Sequence, residues 1–159
     1  MTTFSLPNVE HTLMASQRAS QRTAALFNAA LAAGRQRRWW LALLRRPHGL
    51  RRLAADAARV TGGRHAGLKL VEIADIRGSE GRTTDFDYAF NPLTSTTRQR
   101  WQRVADAFDD GLRLPPVTLI QVGRHYFVRD GHHRISVLRA LGQAVVEAEV
   151  TEWGSGQAG

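Results

Sequence analysis

Two apolar rhythms divide the chain near residue 62. From Val9 to Val60 the apolar residues are mostly Ala and Leu, set among Arg and Gln with no strand-like alternation. That pattern predicts helices, broken at Gly34 and at Pro47 with Gly49. The stretch TGGRHAG, residues 61 to 67, is the expected linker. Beyond it the pattern reads strand, loop, helix, hairpin, helix, strand. LKLVEIADI places Leu68, Leu70, Val71, Ile73 and Ile76 in a strand and its exit. STTRQRWQRVADAFDDG sets Trp101, Val104, Ala105 and Phe108 at i, i+3, i+4 and i+7, an amphipathic helix ending near Gly111. PPVTLIQVGRHYFVRD makes a hairpin around Gly123, with the two prolines confined to its entry, where missing donors are tolerated. A last helix runs from about His132 to Leu141 and stops at Gly142, and AVVEAEV returns as a final strand.

The expected architecture is therefore α+β: a helical segment over residues 1–62, a small mixed sheet with helices over 63–152, and a disordered tail over 153–159. At 159 residues the chain suits one domain with an appendage rather than two independent cores.

Charge sharpens that division. Of the net +8, all lies in residues 1–62, where ten Arg face only Glu10 and Asp56; the rest of the chain is balanced. A basic segment of this kind attracts polyanions or keeps a helical face wet. Within it, RQRRWWLALLRR holds six apolar residues, Trp39 to Leu44, between Arg clusters. This fits either a helix docked on the following domain or an interfacial membrane helix. Docking is the expectation, because six residues cover less than two turns and an all-round apolar helix belongs in a core. The absence of Cys excludes disulfides, thiolate catalysis and Cys-ligated zinc, and suits a reducing cytoplasm. No apolar run approaches the roughly 20 residues of a membrane span, and the start lacks the basic and apolar regions of a signal peptide. A cytoplasmic protein without a membrane span is expected.

The densest chemistry lies in FVRDGHHRISVLRALG, residues 127–142. Here Asp130, Gly131, His132, His133 and Arg134 stand at a strand-to-helix junction, where unpartnered N–H groups and the helix dipole favour an anion. Gly131 allows close backbone approach, both histidines can donate, and Arg134 offers a planar fork for phosphate oxygens. Asp130 as a simple helix cap is the plainer alternative. Adjacent histidines diverge by about 100° on a helix, which argues against one metal held by both. The loop adds Gly78, Ser79 and Arg82, with the Glu80 carboxylate beside them, as a second phosphate or metal contact, without a Walker A pattern. Asp85 and Asp87 can share a Mg²⁺ that arrives with phosphates. An Asx-type turn with Phe86 and Phe90 in the core explains the same residues equally well.

From about Lys69 to Val150 the chain resembles the ParB/sulfiredoxin superfamily. The resemblance is carried by LPPVTLIQVGRHYFVRDGHHRISVLRALG, which gives in order the proline-led strand, the hairpin, the Gly-His-His-Arg turn and the helix ending Ala-Leu-Gly. The order IRGSEGRTTDFDYAFNP, RW, YFVRDGHHR is similar to stand-alone bacterial ParB-like proteins. The resemblance implies that Gly131, His132, His133 and Arg134 bind nucleotide phosphates. Sulfiredoxins carry a reactive Cys where this chain has His132, so sulfinic acid reduction is excluded. The helix-turn-helix DNA reader of chromosome-partitioning ParB proteins has no counterpart before residue 159. Some members of the superfamily are nucleases and one branch phosphorylates free serine, so fold alone selects no reaction.

Two readings follow. One is a Mg²⁺-dependent nucleotide hydrolase, phosphotransferase or nuclease, with nucleotide phosphates on the turn, Mg²⁺ on Asp85 and Asp87, and His132, His133 or Glu80 as catalytic groups. The other is a non-catalytic module that grips nucleic-acid backbone phosphate or senses a nucleotide.

Overall fold

The computed structural model describes residues 9–47, 49–53, 63–81 and 84–154, with the side chains of 9–12 left aside. Among the described residues there are three α-helices and six strands: α1 (Val9–Leu43), β1 (Arg51–Arg52), β2 (Gly63–Glu72), β3 (Ile76–Ser79), α2 (Arg98–Asp109), β4 (Val117–Val122), β5 (His125–Asp130), α3 (His132–Ala140) and β6 (Val145–Trp153). The strands form one mixed sheet in the order β1-β3-β5-β4-β6-β2. The β4–β5 hairpin is antiparallel, as is β2–β6, whereas β1–β3, β3–β5 and β4–β6 are parallel. The α+β architecture expected from the sequence is the one observed.

Layering follows from which side chains the elements turn inward. In β2 and β6 the residues alternate: Val71 pairs with Val146 on the buried face, while Leu70 stands opposite Glu147 and Leu68 opposite Glu149 on the wet face. One face of the sheet thus meets solvent, as antiparallel pairs permit. On the other face Val117, Leu119, Val128, Val146, Ala148 and Val150 pack beneath Ile135 and Leu138 of α3. Val137 of α3 instead enters a second cluster with Phe27 and Leu31 of α1 and Trp101 and Ala105 of α2. Helix α3 is therefore covered on both sides, which is why six of its nine residues are buried. Trp101 is sealed from solvent, meets Phe27 edge to face at 5.5 Å, and donates its Nε1–H to Ser136 Oγ at 2.9 Å. That bond satisfies the indole donor that burial would otherwise strand.

Four expectations are corrected. Helix α1 does not break at Gly34; it runs unbroken to Leu43. Gly34 is there for space, since a Cβ would come within 2.6 Å of the Pro92 carbonyl oxygen where the helix crosses the loop. Arg51 and Arg52, read as helical, form the short edge strand beside β3. Gly63 to Gly67, read as linker, belong to β2, and Trp153, read as tail, is the last residue of β6, paired with Gly63. Glycine-rich composition hid a strand whose partner lies some ninety residues away. Residues 61–62 and 155–159 lie outside the described residues.

Helix α1 docks through Thr23, Phe27, Ala30, Leu31 and Gly34, all buried. The expected docking of Trp39 and Trp40 does not occur: they are 61% and 51% exposed. Phe27→Ala should lower stability by about 3–5 kcal/mol, the usual cost of emptying a buried aromatic site. Trp40→Ala should change it by less than about 0.5 kcal/mol. Urea unfolding of both variants checks the pair.

Lys69 and Arg64 of β2 hold Glu152 of β6 at 2.9 and 2.6 Å, and those hydrogen bonds draw its carboxyl below the ordinary value of 4.5. A depressed carboxylate stabilises the fold above its unfolded pKa, and that contribution is lost as pH falls through the folded one. Glu152→Gln should therefore lower the melting temperature at neutral and alkaline pH, by a difference that shrinks as pH falls through the folded pKa, so that the acid limb of a plot of melting temperature against pH is flattened.

Candidate functional site

Where β5 ends, Gly131 takes a left-handed conformation at φ 102° and ψ 18° and starts α3. Two constraints meet at that residue. Its φ disfavours any side chain, and a Cβ would lie 2.5 Å from Val117 Cγ1. Gly131 itself is the N-cap, with no side-chain hydrogen bond capping the end. The plainer alternative, an Asp130 cap, is thus not formed. Asp130 accepts from Arg134 Nη2 at 2.6 Å instead.

Arg134 is more deeply committed than a free phosphate fork. Its Nη1 donates to the carbonyl oxygens of Pro115 and Pro116 at 2.7 and 2.6 Å. Those carbonyls stand at the entry of β4, so the arginine ties the turn to the strand beside it. The two prolines cannot offer an N–H there, and their carbonyls supply the acceptors.

His132 and His133 are both buried in the first turn of α3. Nε2 of His132 and Ser79 Oγ are hydrogen-bonded at 2.7 Å, and Ser79 also receives the Gly81 N–H at 3.1 Å. The tautomer of the imidazole sets which of the pair donates. Phe86 stacks on His132 at 6.2 Å and meets His133 edge-on at 5.3 Å. Ser79 and Phe86 together fix the ring planes from below.

Above the turn lies an open cleft of about 390 Å³, lined on one side by Asp130, Gly131, His132, His133 and Arg134. The opposite side is α2, which contributes Arg100, Arg103, Val104 and Ala107. Both arginines are exposed, and among the described residues neither has an ion-pair or hydrogen-bond partner. Three arginines against one aspartate make the cleft basic, and its size falls in the range of small-molecule sites. Sequence reading missed Arg100 and Arg103. The signal was present in RQRWQR: the two lie three apart on the polar side of the helix that buries Trp101 and Ala105.

Other sequence candidates sit elsewhere. Gly78 packs under β1, where a Cβ would collide with the Arg51 carbonyl. Glu80 forms a two-pronged ion pair with Arg129 at 2.9 and 3.2 Å, a bond that holds the Arg129 guanidinium above its ordinary pKa. Glu80 is not among the residues lining the cleft. Arg82 lies outside the described residues.

Asp87 is sealed from solvent and surrounded by donors. Its Oδ1 accepts the backbone N–H groups of Ala89 and Asn91 at 2.8 Å each. Oδ2 accepts Asn91 Nδ2 at 3.0 Å and Arg37 Nη1 at 3.4 Å. This is an Asx-type turn, and it carries Phe86 and Phe90 into the core. A carboxylate with both oxygens filled by N–H donors does not fit the shared Mg²⁺ expected on Asp85 and Asp87. Among the described residues no group of three or more His, Asp or Glu is placed to hold a metal ion.

Gly131→Ala should destabilise the fold by about 1–3 kcal/mol from the backbone conformation alone. A urea midpoint equal to that of the wild type would contradict the left-handed turn.

No family model matches the chain, and no curated protein matches it. Among solved structures, sulfiredoxin from Arabidopsis thaliana is similar with a TM-score of 0.40 and 16% identity, covering 54% of this chain and 84% of that one. A likeness at that level carries no argument, and the cleft is read from its own residues.

Proposed function

We propose that the cleft between α2 and the Gly131 turn binds the phosphates of a nucleotide, in a domain of the ParB/sulfiredoxin type. One observation carries the reading: two exposed arginines, Arg100 and Arg103, without a partner among the described residues, face across a basic cleft a helix start that no side chain caps. Phosphate suits such a place because backbone N–H groups, the helix dipole and guanidinium forks all favour the same charge. The resemblance of the Gly131–Arg134 turn to the phosphate-binding turn of that superfamily supports the same ligand.

Roles divide by burial. Arg100 and Arg103 meet the phosphates, Gly131 lets the backbone approach, and the histidines line the floor. Arg134 holds the turn in shape through Pro115, Pro116 and Asp130 and contributes charge more than free donors. With Glu80 tied to Arg129 and Asp87 enclosed, the reading is of binding, and no reaction step is assigned.

The test is a thermal-shift and calorimetry panel of nucleoside di- and triphosphates. Arg100→Ala and Arg103→Ala are the informative variants, because removing either exposed side chain leaves the fold untouched. A charge-assisted hydrogen bond contributes about 1.5–3 kcal/mol, so each variant should weaken binding about tenfold or more. No stabilisation by any nucleotide overturns the reading. If that result came with steeply salt-dependent binding to random DNA or RNA, the nucleic-acid module would replace it.

A further inference from the structure

The last two turns of α1 carry the largest unpartnered apolar feature among the described residues. Trp39, Trp40, Leu43 and Leu44 are 61%, 51%, 63% and 63% exposed. At about 100° per residue, Trp39, Trp40 and Leu43 lie opposite the face on which Phe27, Ala30, Leu31 and Gly34 dock. The same helix thus has one face in the protein core and another turned outward. The two indoles pack edge to face at 4.9 Å, forming one raised aromatic surface.

Charge says what that surface meets. Arg35 stands one turn before Trp39 on the same side of the helix, Arg45 and Arg46 follow its end, all three are exposed, and among the described residues none has an ion-pair partner. From His11 to Ala55 the chain holds nine Arg and no Asp or Glu. Arg37 is the exception in its surroundings, turned inward to Asp87 and over the Tyr88 ring. Two copies of such a patch would bring like charges together, which opposes self-association. A nucleic-acid backbone would satisfy the arginines but leave Leu43 and Leu44 in water. Indoles and leucines bordered by guanidiniums fit the boundary between lipid headgroups and hydrocarbon, where indole rings settle and arginines pair with phosphates. No helix is long and apolar enough to cross a membrane, so the contact is with one leaflet.

We propose that the Trp39–Arg46 end of α1 is a peripheral docking surface for an anionic phospholipid bilayer. Trp39, Trp40, Leu43 and Leu44 enter the interface, and Arg35, Arg45 and Arg46 engage the anionic headgroups. The proposal is independent of the nucleotide reading, which concerns a different surface.

Cosedimentation with vesicles tests it, using phosphatidylglycerol mixed with phosphatidylcholine against phosphatidylcholine alone. The full chain should pellet with the mixed vesicles, and its tryptophan emission should shift to shorter wavelength. Each arginine near an anionic surface contributes a factor of about five, so Arg35→Gln with Arg46→Gln should weaken partitioning by about fivefold per charge. Trp39→Ala with Trp40→Ala should abolish the emission shift and most of the pelleting. Both changes lie on an exposed face, and an unaltered melting temperature confirms an intact fold. Arg100→Ala should bind vesicles as the wild type does. Failure to pellet, or unchanged pelleting of the double tryptophan variant, overturns the proposal. So does a dimer in sedimentation velocity that the tryptophan substitutions dissolve, or tryptophan-dependent binding to single-stranded nucleic acid in place of vesicles.

Discussion

Everything in this molecule depends on α3 being buried from two directions at once. A nine-residue helix is too short to hold itself together in water, and its stability comes from packing. Ile135 and Leu138 enter the sheet core, while Val137 enters the cluster built by Phe27 and Trp101. The sheet and the helix pair meet chiefly through this element, with Phe108 of α2 adding a contact of its own to the sheet core. Its first turn is also the floor of the cleft, so the packing that completes the core fixes where His132, His133 and the Gly131 N-cap stand.

The polar groups around that turn follow the same constraint. Buried donors and acceptors need partners, and the chain provides them locally: Ser79 for His132, Ser136 for Trp101, and the Asp87 turn for its own loop. Among the described residues, Arg100 and Arg103 on the cleft wall, and Arg35, Arg45 and Arg46 beside the exposed indoles, are charges that no hydrogen bond or ion pair engages.

Period and punctuation made much of this legible beforehand. The i, i+3, i+4, i+7 series of Trp101, Val104, Ala105 and Phe108, the Gly123 hairpin and the Gly131 turn all express local rules, and each appears where expected. Long-range partners were not legible. Gly63 to Gly67 looked like linker because nothing nearby announces that Trp153, Glu152 and Thr151 will pair with it. Gly34 read as a helix breaker because its reason is a carbonyl on a distant loop. The Asp85–Asp87 spacing suited both a cation and an Asx turn, and only the donors gathered around Asp87 separate the two. Trp39 and Trp40 were expected inside because a short helix apolar all round usually belongs in a core, whereas the docked face of α1 is set by Phe27, Ala30, Leu31 and Gly34 before them.

The length of α1 has a consequence for the whole particle. Thirty-five residues extend about 52 Å at 1.5 Å each, whereas a compact chain of this size has a radius of gyration of about 15 Å. The helix is longer than the body that anchors its middle, so it projects beyond that body. A rod fixed to a smaller mass does not tumble as a sphere: rotation about the rod is fast, and reorientation of its long axis is slow. Amide groups along α1 lie parallel to that slow axis, so their spin relaxation will differ from that of strands lying across it.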